Sequence, residues 1–101
     1  MHINISTPSQ QHLDSIQQIL MFYHVRLKDR VQFLNLNLHE VPDRLDNDNF
    51  RVELDATLLS GQRINLEEVQ TDLLTATNRI LNRLIRMCGR SVLPDRLMNN
   101  A

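Results

Sequence analysis

Apolar residues recur at steps of three and four along two long stretches of this chain, the spacing of one face of an α-helix. The first series is Leu13, Ile16, Leu20, Tyr23, Leu27, Val31 and Leu34, and the second is Leu66, Val69, Leu73, Ala76, Ile80, Leu84 and Met87. We therefore predict two long amphipathic helices, over residues 8–30 and 66–88. A fold built around them must bury one broad apolar face on each.

Both predicted helices have end signals in the sequence. Thr7 is a good capping residue, and Pro8 suits the first helical position because its missing N–H has no helical partner to lose. Asn65, with Glu68 three residues later, has the pattern of a capping box and predicts the start of the second helix. Gly89 is the predicted end of that helix.

The segment between the helices has the pattern of β-strands. Residues 50–58 alternate apolar and polar side chains, which indicates a strand with one covered face and one wet face. Residues 32–39 also shift towards a period of two, and their asparagines disfavour a helix. Residues 40–49 contain a proline, three aspartates and two asparagines and are predicted to form a loop. Residues 2–6 alternate weakly and are a candidate third strand.

These elements predict an α+β fold, with two long amphipathic helices and a small antiparallel β-hairpin (32–39 and 50–58) in two layers. The chain has only two glycines and three prolines, which argues against a many-turned β architecture. If residues 32–39 stay helical, the fold is all-α instead. A length of 101 residues suits one domain, and residues 91–101 are expected to form a partly ordered tail.

The apolar face of the second helix is wider than one small core requires. On the second helix, a second stripe lies about 100° from the first and consists of Leu74, Leu81, Ile85 and Cys88. The first helix also carries apolar residues off its main stripe, namely Met21, Phe22 and Val25. The sheet or the tail could cover the second stripe, or another chain could. If four such side chains were exposed to solvent, about 6–10 kcal/mol of burial free energy would be lost. We therefore predict that these two sets of side chains form a protein interface.

Four arginines form a charged flank on the second helix: Arg79, Arg83, Arg86 and Arg90. With Glu68 and Asp72 near the helix start, this order of charges complements the helix dipole. The same charges would also pair two antiparallel copies of the helix. Alternatively, arginines on one face can follow a phosphate backbone, although no aromatic residue interleaves them to stack on single-stranded bases. Nucleic-acid binding is therefore the rival hypothesis.

Catalytic and metal-binding patterns are missing from the sequence. The histidines, His2, His12, His24 and His39, lack the spacing of a metal site. Residues 46–49 resemble the start of a calcium loop, but Arg51 stands where that loop needs glycine, and Thr57 where it needs glutamate. Cys88 has no sequence signature that pairs it with a base. We predict no enzyme activity, no cofactor and no metal.

The remaining patterns bear on location and partners. Cys88 is the only cysteine, so no internal disulfide can form, and the sequence shows neither a secretory leader nor an apolar run that could span a membrane. We therefore expect a cytoplasmic protein. The functional hypothesis is a small protein-interaction module: an adaptor, an assembly chaperone or a regulatory subunit. It would bind a second copy of itself or a helix of another protein, with no membrane or small-molecule partner.

Overall fold

The computed structural model describes the backbone of residues 1–8, 10–42 and 48–99, and the side chains of residues 1–8, 10–41 and 49–88. The elements in chain order are β1 (His2–Ser6), α1 (Gln10–Leu27), β2 (Val31–Pro42), β3 (Asp48–Leu58), β4 (Arg63–Gln70) and α2 (Leu73–Asn99). The strands form one four-stranded sheet in chain order. β1 is parallel to β2, while β2–β3 and β3–β4 are antiparallel.

The chain is α+β, so the all-α alternative is wrong, and the small hairpin is wrong as well because the sheet has four strands. The predicted strands lie within β1, β2 and β3, and the predicted first helix contains α1. The predicted loop is shorter than expected, since β2 extends to Pro42 and β3 begins at Asp48. Residues 43–47 of that loop lie outside the described residues.

β4 occupies residues that the spacing of apolar side chains assigned to the second helix. A tight turn explains this difference, because Gly61, with a φ of 94°, adopts a left-handed conformation that glycine favours. Its N–H donates to the carbonyl of Leu58 at 2.9 Å, and the N–H of Leu58 donates to the carbonyl of Gln62 at 2.8 Å. The turn directs the chain back along β3, and Ile64 pairs with Ala56 in the antiparallel register.

α2 therefore begins later than predicted, at a different capping residue. Asp72 caps it, accepting hydrogen bonds at Oδ2 from the Thr75 hydroxyl at 2.7 Å and the Thr75 N–H at 2.9 Å. These bonds hold the pKa of Asp72 below its usual value. The predicted cap, Asn65, lies in β4, and α2 continues past Gly89. The docking of the predicted tail, residues 91–101, lies outside the described side chains.

The core lies between one face of the sheet and the two helices. Inward side chains in the middle of β2 and β3, such as Leu36 and Leu54, are fully buried, whereas those of β1 and the inward Leu66 of β4 are half-buried. α1 contributes Ile16 and α2 contributes Ile80 to the same cluster. The Tyr23 hydroxyl, on α1, hydrogen-bonds to an Asn78 side-chain oxygen on α2 at 3.2 Å. The helices thus form one layer, and the outer face of the sheet stays open.

Candidate nucleic-acid interface

The second apolar stripe of α2 is divided between the core and the surface. Leu81 is 0% exposed and Cys88 is 5% exposed, so the prediction that they form an interface is wrong: their own chain covers them. Ile85 is half-buried against the same core, whereas Leu74 is exposed. The four-stranded sheet, wider than the predicted hairpin, accounts for this extra burial. Burial also raises the pKa of the Cys88 thiol, which favours its protonated, less reactive form.

Part of the predicted interface is nevertheless on the surface, and we call it the helix patch: Met21, Phe22, Val25 and Leu74. The first three side chains are 76%, 71% and 69% exposed, and Leu74 is 45% exposed. Phe22 and Leu74 line the same shallow groove between α1 and α2. Phe22 and Leu74 therefore connect α1 with α2, whereas Met21 lines a different groove, between α1 and β1.

The arginine series lies at the surface of α2. Its described members line a cleft of about 370 Å³ between α2 and β4. We call this the arginine cleft, and the residues that line it are Glu68, Arg79, Asn82, Arg83 and Arg86. The arginines lie three or four residues apart, so they share one face of the helix. The side chain of Arg90 lies outside the described residues. The predicted grouping of the arginines is thus present for the three that can be placed.

Glu68 is the member of the arginine cleft whose role the sequence did not reveal. Arg83 Nη1 donates to Glu68 Oε2 at 3.0 Å and to the backbone carbonyl of Glu67 at 2.8 Å. The Gln70 side-chain amide donates to the other oxygen of Glu68 at 3.0 Å. Pairing of Glu68 with an arginine of a second copy was one interpretation of these charges, but Glu68 pairs with Arg83 of its own chain. The alternation of polar and apolar side chains over residues 63–67 was the sequence signal for a strand next to Glu68.

Charge differs between the two faces of the molecule. α1 and residues 73–88 of α2, which form the helical face, carry four basic residues against one acidic residue: Arg26, Arg79, Arg83 and Arg86 against Asp14. On the open sheet face, outward positions of β3 and β4 carry two basic residues against three acidic ones: Arg51 and Arg63 against Glu53, Asp55 and Glu67. The helical face is therefore the more suitable surface for a polyanion.

The open sheet face also uses its charges internally. Arg51 Nε lies 3.2 Å from Glu67 Oε1, and His39 Nε2 lies 3.8 Å from Glu53 Oε1. Arg51 is therefore already occupied by a carboxylate and is less available to a phosphate than an unpaired arginine would be. A polyanion approaching this face would also meet acidic groups, which repel it.

Two further observations bear on the class of site. Among the described residues, no three His, Cys, Asp or Glu side chains come close enough together to hold a metal ion. In the same part of the chain, neither helix combines the length and apolar character needed to span a membrane.

Solved structures with this fold include the following two. A ribosomal subunit interface protein from Coxiella burnetii matches with a TM-score of 0.70 and 16% identity, over 92% of this chain and 99% of that one. The N-terminal domain of Protein Y from Thermus thermophilus matches with a TM-score of 0.65 and 20% identity, over 89% and 98% of the two chains. Neither a family model nor a curated protein sequence matches this chain. At these identities the likeness establishes a shared fold.

Proposed function

We propose that this chain is a small, non-enzymatic protein that binds the ribosome, with its helical face against ribosomal RNA. The observation that carries the proposal is the extent of the structural likeness to a protein described as a ribosomal subunit interface protein. The likeness extends over 92% of this chain and 99% of that one. Ribosome binding would also account for the predicted cytoplasmic location.

The charges support the helical face as the RNA-binding surface. RNA presents a dense array of phosphates, and each basic side chain that neutralises one releases a bound counterion, which favours binding. Arg79 and Arg86 stand on the exposed face of α2, and neither forms an ion pair with a carboxylate among the described side chains. Structured RNA is read mostly through its shape, its phosphates and its 2′-hydroxyls, so the lack of stacking aromatics between the arginines does not oppose this role.

The helix patch supports a protein contact as a second candidate role. The predicted homodimer depended partly on Leu81 and Cys88, which lie in the core. Exposed apolar side chains remain at Phe22 and Leu74, and side chains of this kind are typical of protein interfaces. We propose that the helix patch contacts a protein. The solution mass over a range of concentrations distinguishes a second copy, which gives a concentration-dependent dimer, from a different partner.

Sedimentation with purified ribosomes tests the proposed function. At about 50 mM salt the chain should pellet with ribosomes, and its affinity should fall roughly 20- to 150-fold by about 200 mM, as expected for three or four phosphate contacts. The chain alone, centrifuged under the same conditions, controls for aggregation. Failure to pellet with ribosomes at the lower salt concentration, or binding that does not respond to salt, would contradict the proposal.

A further inference from the structure

Glu68 is an acid inside a cleft that is otherwise basic. Its two carboxylate oxygens are both engaged, one by Arg83 at 3.0 Å and the other by the Gln70 amide at 3.0 Å. Its side chain is only 15% exposed. A carboxylate that is held at both oxygens and mostly buried has a defined orientation, so it can act as a fixed support for Arg83.

Arg83 is held by one corner of its guanidinium group. Nη1 donates both to Glu68 and to the backbone carbonyl of Glu67. A guanidinium has five N–H donors, and those on Nε and Nη2 are left for another acceptor. Because the side chain is 43% exposed, these donors are accessible from the cleft. Two N–H groups in a planar fork match two oxygens of one phosphate group.

The charges of the arginine cleft are not balanced by the described residues. Arg79 and Arg86 flank Arg83 along α2, while Glu68 is the one acidic side chain among the described residues that line the cleft. Three guanidinium groups against one carboxylate leave an excess of two positive charges. Like charges three or four residues apart on a helix repel one another, so a bound anion would stabilise this arrangement.

We propose that the arginine cleft binds a phosphate group and that Glu68 is a positioning residue that holds Arg83 ready to receive it. The proposal deepens the one above and rests on it for its biological setting: the phosphate belongs to the backbone of an RNA. Arg83 provides the fork, Arg79 and Arg86 add charge on either side, and Glu68 does not touch the phosphate.

A positioning role for Glu68 predicts that Glu68→Gln weakens anion binding, whereas the loss of its negative charge alone would strengthen it. Removing a negative charge from a basic cleft should tighten anion binding if charge alone matters. If Glu68 positions Arg83, the variant should bind phosphate more weakly, because Arg83 loses its ion pair with the carboxylate, is less ordered before binding, and must then be immobilised on binding. The expected loss is about two- to tenfold in affinity, as for the ordering of one flexible side chain.

The experiment is a titration with inorganic pyrophosphate at low salt, followed by calorimetry and by the NMR signals of the arginine Nε–H groups. In the wild type, the signals of Arg79, Arg83 and Arg86 should shift together. Glu67→Gln is the matched control, because Glu67 is the neighbouring residue on β4 and its replacement removes the same charge. The Glu67 carboxylate pairs with Arg51, at 3.2 Å, and not with Arg83. The Glu67→Gln variant should bind pyrophosphate as tightly as the wild type or slightly more tightly.

A double-mutant cycle separates positioning from folding. In an Arg83→Gln background, adding Glu68→Gln should no longer weaken binding, because no fork remains to be positioned. Thermal unfolding of each variant verifies that the fold is intact. Unchanged or tighter binding by Glu68→Gln alone would overturn the positioning role, as would an equal loss in Glu67→Gln. A wild type that does not bind pyrophosphate would overturn the phosphate site itself.

Two results separate this inference from ribosome binding. A short RNA duplex should displace pyrophosphate, and failure to do so would contradict the assignment of the phosphate to RNA. The chain could also bind pyrophosphate, with the expected result in the double-mutant cycle, and yet not pellet with ribosomes. That outcome would support the phosphate site in the arginine cleft and refute the ribosome as its partner.

Discussion

Replacement of Leu81 with aspartate should strongly destabilise the protein. The Leu81 side chain is completely buried and belongs to the same core cluster as Leu84 and Ile80. The substitution removes apolar contacts and places a charge where no partner is available, at an expected cost of about 4 kcal/mol or more. A domain of this size is stabilised by only about 5–15 kcal/mol. Far-ultraviolet circular dichroism and urea unfolding measure the loss.

Leu74→Asp is the matched control for this prediction. It is the same substitution two turns earlier on α2, at a side chain that is 45% exposed. Leu74 also follows the capping residue closely, where an aspartate interacts favourably with the helix dipole. Its free energy of unfolding should change by no more than about 1 kcal/mol. A Leu81→Asp protein that keeps the unfolding free energy of the wild type but loses a partner would contradict the burial of Leu81 and support an interface at that position.

The double variant Arg79→Gln, Arg86→Gln should bind ribosomes about 100-fold more weakly than the wild type at low salt. Each arginine is expected to make one charge-assisted contact with a phosphate, worth about 1.4 kcal/mol at least. The slope of log affinity against log salt should also become shallower by about two, one for each lost contact. Sedimentation with ribosomes at several salt concentrations measures both quantities.

The open sheet face provides a control with the same change in net charge. In the variant Arg51→Gln, Arg63→Gln, two arginines are also neutralised, but they lie on β3 and β4 and point away from the helices. Ribosome affinity should then stay within about threefold of the wild type, since only long-range electrostatics changes. Equal losses in the two double variants would mean that net charge, and not the helical face, determines binding.

The sequence predicted elements well where one periodicity was dominant and poorly where two overlapped. The apolar spacing of α1 and the alternation of β3 each pointed to one structure. In β4, Leu66 and Val69 fit the helical spacing, and the alternation of the segment fits a strand as well. Pairing with β3 decides between them, and it depends on the turn at Gly61. Such a contact between distant residues cannot be read from local spacing.

The sequence also predicted some features of the candidate site and missed others. Helical spacing alone grouped Arg79, Arg83 and Arg86, because the three lie on one helix. The pairing of Arg83 with Glu68 required β4 to lie beside α2, which the sequence did not show. The width of the apolar face indicated extra burial, but it did not indicate that the chain's own sheet would cover Leu81.

Electron cryomicroscopy of ribosomes incubated with the protein at low salt would test directly whether the helical face binds ribosomal RNA. The proposed function predicts density for one chain on the ribosome, with the helical face towards RNA and Arg79, Arg83 and Arg86 close to phosphate groups. The open sheet face, with Glu53 and Asp55, should point away from RNA. Ribosomes that carry no such density at saturating protein, or a chain bound with its sheet face against RNA, would contradict it.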